Sequence, residues 1–187
     1  MNKIITSKEI ILSASKELVR ESGLTSLNIR DIAQKCDISV GSVYNYFTSK
    51  DDLIFSTVES IWIEILELEK VDYGKQSFET AVKHFFNSAL LGSEKYSFFL
   101  DEHSINLMRT NKSKGRDVMN RFFGQIIRGM VTSLNQDLRV KPDAFSEDFT
   151  KEEFVGFVFS NIMSLVMKRA NSCDFLLKVI QRTIYIA

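Results

Sequence analysis

Apolar residues recur three and four positions apart along most of this chain, which is the spacing of an α-helix with one buried face. Residues able to cap a helix precede several of these stripes, with Ser7 before one and Ser77 before another. Thr150, with Glu153 three residues later, forms a capping-box pattern. One proline and eight glycines leave few interruptions. The sequence therefore predicts an all-α fold.

Three capping residues follow one another closely in the stretch from residue 27 to 53, namely Asn28, Ser39 and Ser49. Behind the first two lie short apolar stripes at helical spacing: Ile29, Ile32 and Ala33, then Val43, Tyr44 and Phe47. A longer stripe follows Ser49 and predicts a helix to about residue 70. Two short helices joined by a tight turn, with a third helix next, form a helix-turn-helix arrangement.

The second short helix carries small and polar residues on its outer side: Ser39, Val40, Gly41, Ser42 and Asn45. A helix that enters the major groove of DNA needs a slim first turn and side chains that reach base edges and phosphates. An ordinary helical hairpin with a solvated polar face gives the same pattern. Spacing alone leaves both readings open.

The sequence IRDIAQKCDISVGSVYNYFTSKDDL resembles the N-terminal domain of the TetR family of bacterial one-component transcriptional repressors. The positions that carry this resemblance are Ile32, Ala33, Ser39, Gly41, Tyr44, Phe47, Ser49, Lys50 and Leu53. Three positions depart from the family pattern: Asn28 stands for a common Thr, Asp37 for a common Gly, and Tyr46 for a common His.

The resemblance implies an N-terminal three-helix DNA-binding domain over residues 1–48 and a helical ligand-binding and dimerisation domain over residues 49–187. Base or base-adjacent contacts are expected from Arg30, Ser42, Tyr44 and Asn45. Phosphate contacts are expected from Asn28, Ser39, Gly41, Tyr46 and Lys50, and Val40 completes the predicted DNA-binding surface.

The last two predicted helices are apolar on nearly every side. One face of a small bundle cannot cover both of them, so we expect a two-fold copy of the chain to pack there. The TetR-like resemblance implies the same dimer. The residues predicted for the interface are Phe154, Val158, Ile162, Leu165, Leu176, Ile180 and Ile184.

Aromatic residues of the middle helices suggest the wall of an effector cavity: Trp62, Phe99, His103, Phe122 and Phe159. The same residues also fit a solid core. His103 has no second His or Cys at a metal-binding spacing, so no metal site and no cofactor are predicted. A cavity with these walls would accept an apolar or aromatic effector.

Charge and cysteine content add a few constraints. The formal net charge is zero, but residues 1–50 carry seven Lys and Arg against five acids, so this region has a charge of +2. A positive charge favours binding to DNA, but its small size predicts few phosphate contacts. Cys36 and Cys173 lie far apart, and packing is the expected role rather than redox sensing. The chain shows no signal peptide or membrane-spanning run, which predicts a cytoplasmic location.

These patterns predict a homodimeric transcriptional repressor that binds a palindromic DNA operator and is released by a small molecule. A second hypothesis keeps the DNA binding but has no small-molecule effector, with control by a protein partner. A third, an enzyme, has little support. Neither a phosphate-binding glycine loop nor a catalytic triad pattern is present. The run Asp101, Glu102 and His103 looks suggestive, but side chains one or two positions apart on a helix point in different directions.

Overall fold

A computed structural model of the protein describes residues 6–66, 72, 74–96 and 113–186. This part of the chain is helical, as predicted. Its α-helices are α1 (Lys8–Ser22), α2 (Ile29–Lys35), α3 (Val40–Tyr44), α4 (Lys50–Leu66), α5 (Phe78–Lys95), α6 (Ser113–Gln136), α7 (Lys151–Met167) and α8 (Asp174–Ile184). A single 3₁₀ turn, Leu24–Ser26, separates α1 from α2. No described helix has the length and apolarity that crossing a membrane requires.

The predicted capping residues set the starts of the helices. The Ser7 hydroxyl accepts a hydrogen bond from the Ile10 amide at the start of α1. Thr150 and Glu153 form a complete capping box at the start of α7. These bonds satisfy amides that have no partner inside the helix, so the boundaries follow from local sequence.

Contacts group the chain into two compact units. The first comprises Met1–Ile65 and Gly92–Asn120, and the second comprises Leu66–Leu91 and Arg121–Ala187. This grouping differs from the predicted division at residues 48 and 49, because α4 as far as Ile65 belongs with the helix-turn-helix. Side chains that are almost fully buried form the core of the first unit: Ile11, Val19, Ile32, Val43, Phe47, Leu53, Val58 and Ile61.

In the second unit, a buried carboxylate joins three segments. Asp137 accepts hydrogen bonds from the Phe78 amide at 3.0 Å, the Tyr185 hydroxyl at 2.7 Å and the Arg139 guanidinium at 3.0 Å. Burial alone would raise the pKa of Asp137, but these hydrogen bonds outweigh it and lower the pKa to about 2. The start of α5, the segment after α6 and the end of α8 are thereby held at one point.

Both cysteines are free thiols. Cys36 is half-buried and Cys173 is buried. Burial raises the pKa of each thiol above its ordinary value. A raised pKa lowers the thiolate fraction that redox chemistry requires.

Candidate nucleic-acid interface

The turn between α2 and α3 has the geometry of a Schellman cap. The Ile38 amide donates to the Ala33 carbonyl at 3.0 Å, and the Asp37 amide donates to the Gln34 carbonyl at 3.1 Å. Asp37 has a φ of 53°, the left-handed conformation that favours glycine. Asp occupies this position because its short side chain tolerates the left-handed region better than most residues do. The turn fixes the direction in which α3 leaves α2.

Two serines organise the start of α3. The Ser39 hydroxyl caps the helix by accepting from the Ser42 amide at 3.1 Å, and the two hydroxyls lie 2.8 Å apart. Val43 is fully buried beneath the helix. With one residue facing the core, the five-residue helix presents the rest of its surface to solvent.

All ten predicted DNA-binding residues keep solvent exposure. Asn28 and Ser42 are half-buried, and the exposed ones are Arg30, Ser39, Val40, Gly41, Tyr44, Asn45, Tyr46 and Lys50. They all fall between residues 28 and 50 of the first unit. This arrangement supplies hydroxyls, two amides, two phenols and two cations around one short exposed helix, which is the chemistry that a DNA groove requires.

Asn28 serves first as a helix cap. Its side-chain oxygen accepts from the Arg30 amide at 2.9 Å and from the Asp31 amide at 3.0 Å, and its amide group donates to Asp31 at 2.5 Å. These bonds fix the first turn of α2 and leave only one side-chain N–H for a phosphate.

Tyr46 is placed differently from the prediction. Its hydroxyl donates to the backbone carbonyl of Thr6 at 2.7 Å. A phosphate oxygen accepts hydrogen bonds, so it needs a donor, and the only hydroxyl proton of Tyr46 is already used within the chain. The expected Tyr46 phosphate contact is therefore inconsistent with this conformation.

The first turn of α4 is also capped. The Ser49 hydroxyl accepts from the Asp52 amide at 3.1 Å, and the Asp52 carboxylate accepts from the Thr48 amide at 2.8 Å. Lys50 is exposed at the start of this helix and forms no ion pair within the described residues. Its ammonium group is available to an external anion.

A carboxylate near the other end of α4 binds three donors. Glu64 accepts from Lys16 of α1 at 2.5 Å, from Lys95 of α5 at 2.5 Å and from the Tyr96 hydroxyl at 3.0 Å. Burial alone would raise the pKa of Glu64, but these hydrogen bonds outweigh it and lower the pKa to about 2. Gly92 makes the approach of α5 possible, because an added Cβ would lie 2.3 Å from Ile65.

The predicted effector residues are divided between the two compact units and the part of the chain outside the described residues. Trp62 is buried in the first unit, whereas Phe122 and Phe159 are buried in the second. Phe99 and His103 lie outside the described residues. In the second unit the Phe123 ring lies 5.7 Å from Phe122 and 5.2 Å from Phe159, centroid to centroid. These are the distances of packed aromatic rings, and Phe123 itself is half-buried.

Most of the residues predicted for the dimer interface face the interior of their own subunit. Six of the seven (Phe154, Val158, Ile162, Leu176, Ile180 and Ile184) are buried within the chain itself, and Leu165 is half-buried. A side chain already covered by its own subunit has little surface left for a partner. The exposed apolar residues of α7 and α8 are Phe157 at 54%, Met167 at 51% and Phe175 at 81%.

Phe157 and Phe175 belong to a surface groove of about 180 Å³ that contains apolar residues of both helices. The groove is lined by Phe157, Asn161, Leu165, Ser172, Cys173, Phe175, Leu176 and Val179. Helical spacing of four connects Phe157 to Asn161 and Leu165, and Phe175 to Val179. That spacing was visible in the sequence, but a helix apolar on every side does not reveal which stripe stays exposed.

Residues 28–50 thus form a helix-turn-helix with an exposed second helix. A sequence model of the protein family described as "Bacterial regulatory proteins, tetR family" matches residues 11–57 of this chain. This match covers the helix-turn-helix region and agrees with the resemblance to the TetR family seen in the sequence.

Two curated relatives match part of the chain. The HTH-type transcriptional regulator HbdR of Aromatoleum sp. (strain CIB) is 37% identical over 51 residues, which is 27% of this chain and 22% of HbdR. The uncharacterized regulator YvdT of Bacillus subtilis (strain 168) is 32% identical over 89 residues, 47% of this chain and 46% of YvdT. The aligned regions thus span less than half of either relative.

Solved structures share the fold over nearly the whole chain. A transcriptional regulator from Rhodococcus sp. RHA1 gives a TM-score of 0.73 at 17% identity, covering 97% of this chain and 100% of that one. FadR from Bacillus subtilis, in complex with stearoyl-CoA, gives a TM-score of 0.63 at 17% identity. That match covers 93% of this chain and 97% of the FadR chain. Both comparisons support the predicted all-α architecture.

Proposed function

We propose that this protein is a homodimeric transcriptional regulator that binds a palindromic operator through α3 and represses transcription from it. The observation that carries the proposal is the exposed surface of α3. Ser39 caps this helix, and the buried side chain of Val43 packs it against the core. The match of residues 11–57 to the tetR family supports the same function. A regulator of this kind would act in the cytoplasm.

Nine of the ten predicted residues, all except Tyr46, have a proposed role at the DNA. Arg30, Tyr44 and Asn45 would contact bases or their neighbours, with Ser42 beside them. Ser39 and Lys50 would bind phosphates, and Gly41 would let the backbone come close, with Val40 next to it. Asn28 would add one N–H to a phosphate while it caps α2.

The groove on α7 and α8 is our proposed dimer interface, centred on Phe157 and Phe175. A two-fold axis brings the same residues of both copies together, so one apolar face covers the other. Two α3 helices related by this axis would enter successive major grooves about 34–36 Å apart.

Footprinting on the DNA upstream of the protein's own gene tests the proposal. We expect protection of a two-fold symmetric sequence, followed by nanomolar binding of that fragment in fluorescence anisotropy. Asn45→Ala should alter the preferred operator, whereas Lys50→Ala should weaken binding to all sequences alike. Absence of protection at any fragment, with folded dimeric protein, would refute DNA binding. A reporter gene behind the protected sequence then shows whether the protein lowers transcription.

Control by a small apolar or aromatic effector is the second part of the proposal. Support comes from the fold shared with FadR, which was solved with stearoyl-CoA. Such an effector must bind the DNA-free state more tightly than the DNA-bound state. A ratio of affinities of about 10⁴ is needed to reverse the populations of the two states fully.

The close ring packing around Phe123 favours the alternative, a solid core with control by a protein partner. Thermal shifts against a panel of hydrophobic compounds separate the two, because a ligand that binds the folded state raises its melting temperature. Stabilisation by a compound that also releases the operator supports the effector. No shift across the panel supports the solid core.

A further inference from the structure

The start of α1 is held against the segment that follows α3. The Tyr46 hydroxyl donates to the Thr6 carbonyl at 2.7 Å, as described above. Lys8 is the first residue of α1, two positions after Thr6, and its ammonium lies 5.5 Å from the centroid of the Phe47 ring. Phe47 is 1% exposed and belongs to the core of the first unit. Two consecutive aromatic residues therefore fix the position of Lys8 relative to the end of α3.

Lys8 is exposed and forms no salt bridge with a described carboxylate, although it has an electrostatic interaction with its neighbour Glu9. Two other lysines of the first unit are already engaged within the chain. Lys16 binds Glu64, and Lys35 lies 3.1 Å from Glu17 and 3.4 Å from Glu21. A region with few cations has few ways to hold a polyanion, so each unpaired ammonium group near α3 matters.

We propose that Lys8 is a DNA-binding residue that contacts a backbone phosphate beside the operator half-site, and that Tyr46 is the positioning residue that holds it there. The inference rests on the proposed binding of DNA by α3. It assigns Tyr46 a role that is indirect: its hydroxyl orients the start of α1 instead of contacting a phosphate. Phe47 gives the lysine a fixed aromatic surface, which limits the directions in which its side chain extends.

Salt dependence of operator binding tests the contact. Loss of one phosphate contact lowers the slope of log affinity against log salt by about 0.9, so Lys8→Ala in a dimer should lower it by about 1.8. The affinity for unrelated DNA should fall in parallel, because phosphates carry no sequence information. Lys8→Arg should restore the slope. Lys83→Ala is the matched control, because Lys83 is an exposed lysine of the second unit with no described ion pair. The salt slope of this variant should equal that of the wild type.

A double-mutant cycle tests the role of Tyr46. Tyr46→Phe should lower the slope in the wild-type background but have no further effect in Lys8→Ala, because it acts through the same lysine. In the free protein, amide hydrogen exchange at residues 8–11 should become faster in Tyr46→Phe, which reports loosening of the start of α1 without any DNA.

The outcomes are distinguishable. An unchanged slope in Lys8→Ala, with the wild type bound, overturns this inference and leaves the proposed function intact. An equal effect of Tyr46→Phe in both backgrounds assigns Tyr46 to the DNA directly and overturns its positioning role. Failure of the wild type to bind any fragment overturns the proposed function and this inference together. Denaturation midpoints equal to that of the wild type confirm that the variants are folded.

Discussion

The Lys16 ammonium of α1 lies 2.5 Å from the Glu64 carboxylate of α4. Glu64 also binds Lys95 and the Tyr96 hydroxyl at the end of α5. One carboxylate therefore joins the helix that supports the DNA-reading pair to the helix that begins with Lys50. Because a helix is stiff along its axis, we propose that this contact makes α1 and α4 move together when the operator is released.

The stability of the first unit should depend on pH through Glu64. Its pKa is about 2 in the folded protein and 4.5 as an ordinary side chain, so the carboxylate stabilises the fold fully above about pH 4.5. That stabilisation is lost as the pH falls from 4.5 towards 2. Glu64→Gln should lower the free energy of unfolding at pH 7 and reduce its change across this acidic range, as measured by urea denaturation. Solvent screening limits the size of the effect, since the side chain is 30% exposed.

Glu59→Gln is the matched control for that experiment, because Glu59 lies on the same helix and forms no described ion pair. Its variant should follow the wild-type profile between pH 2 and 4.5. Identical profiles for Glu64→Gln and the wild type would show that the contact contributes nothing in solution.

Gly41→Ala should separate stability from DNA binding. The nearest atom to an added Cβ is the Ser39 hydroxyl at 3.7 Å, an ordinary contact, so the fold itself does not require glycine here. Alanine favours the helix by up to about 1 kcal/mol. At the DNA the same methyl group would block close approach of the backbone, and we expect operator affinity to fall about tenfold, or about 1.4 kcal/mol. Denaturation and anisotropy measure the two effects, and undiminished affinity would remove Gly41 from the interface.

Asp37→Gly should stabilise the turn between α2 and α3. Asp37 has a φ of 53°, a conformation that costs a residue with a Cβ about 1–2 kcal/mol. Glycine avoids this strain but loses about 0.5–1 kcal/mol in backbone entropy, so the net gain should lie between zero and about 1.5 kcal/mol. Gln34→Gly, at an exposed position inside α2, should instead destabilise by about 1 kcal/mol. A loss of stability in Asp37→Gly would mean that the Asp side chain contributes to the turn.

Phe175→Glu should convert the proposed dimer to a monomer. Phe175 is 81% exposed beside the groove on α7 and α8, and a carboxylate there would be desolvated when two copies meet. Leu138→Glu is the control, because Leu138 is 95% exposed but lies outside that groove. Light scattering should give a monomer for the first variant and a dimer for the second. A dimer in both cases would place the interface elsewhere.

Sequence alone determined the features that depend on neighbouring residues. Asn28, Ser39 and Thr150 cap helices because a side-chain oxygen reaches an amide two or three positions away, whatever surrounds it. The helix-turn-helix was readable for the same reason, and its buried residue Val43 follows from helical spacing.

Only the tertiary structure decided which faces are covered and which distant residues meet. Phe154 and Phe157 are both apolar residues of α7, yet the first is 4% exposed and the second 54%, because the rest of the chain packs on one side of that helix only. Tyr46 meets Thr6 across forty positions of sequence. Burial and such long-range bonds depend on how helices pack, and a periodic pattern specifies a helix without specifying its neighbours.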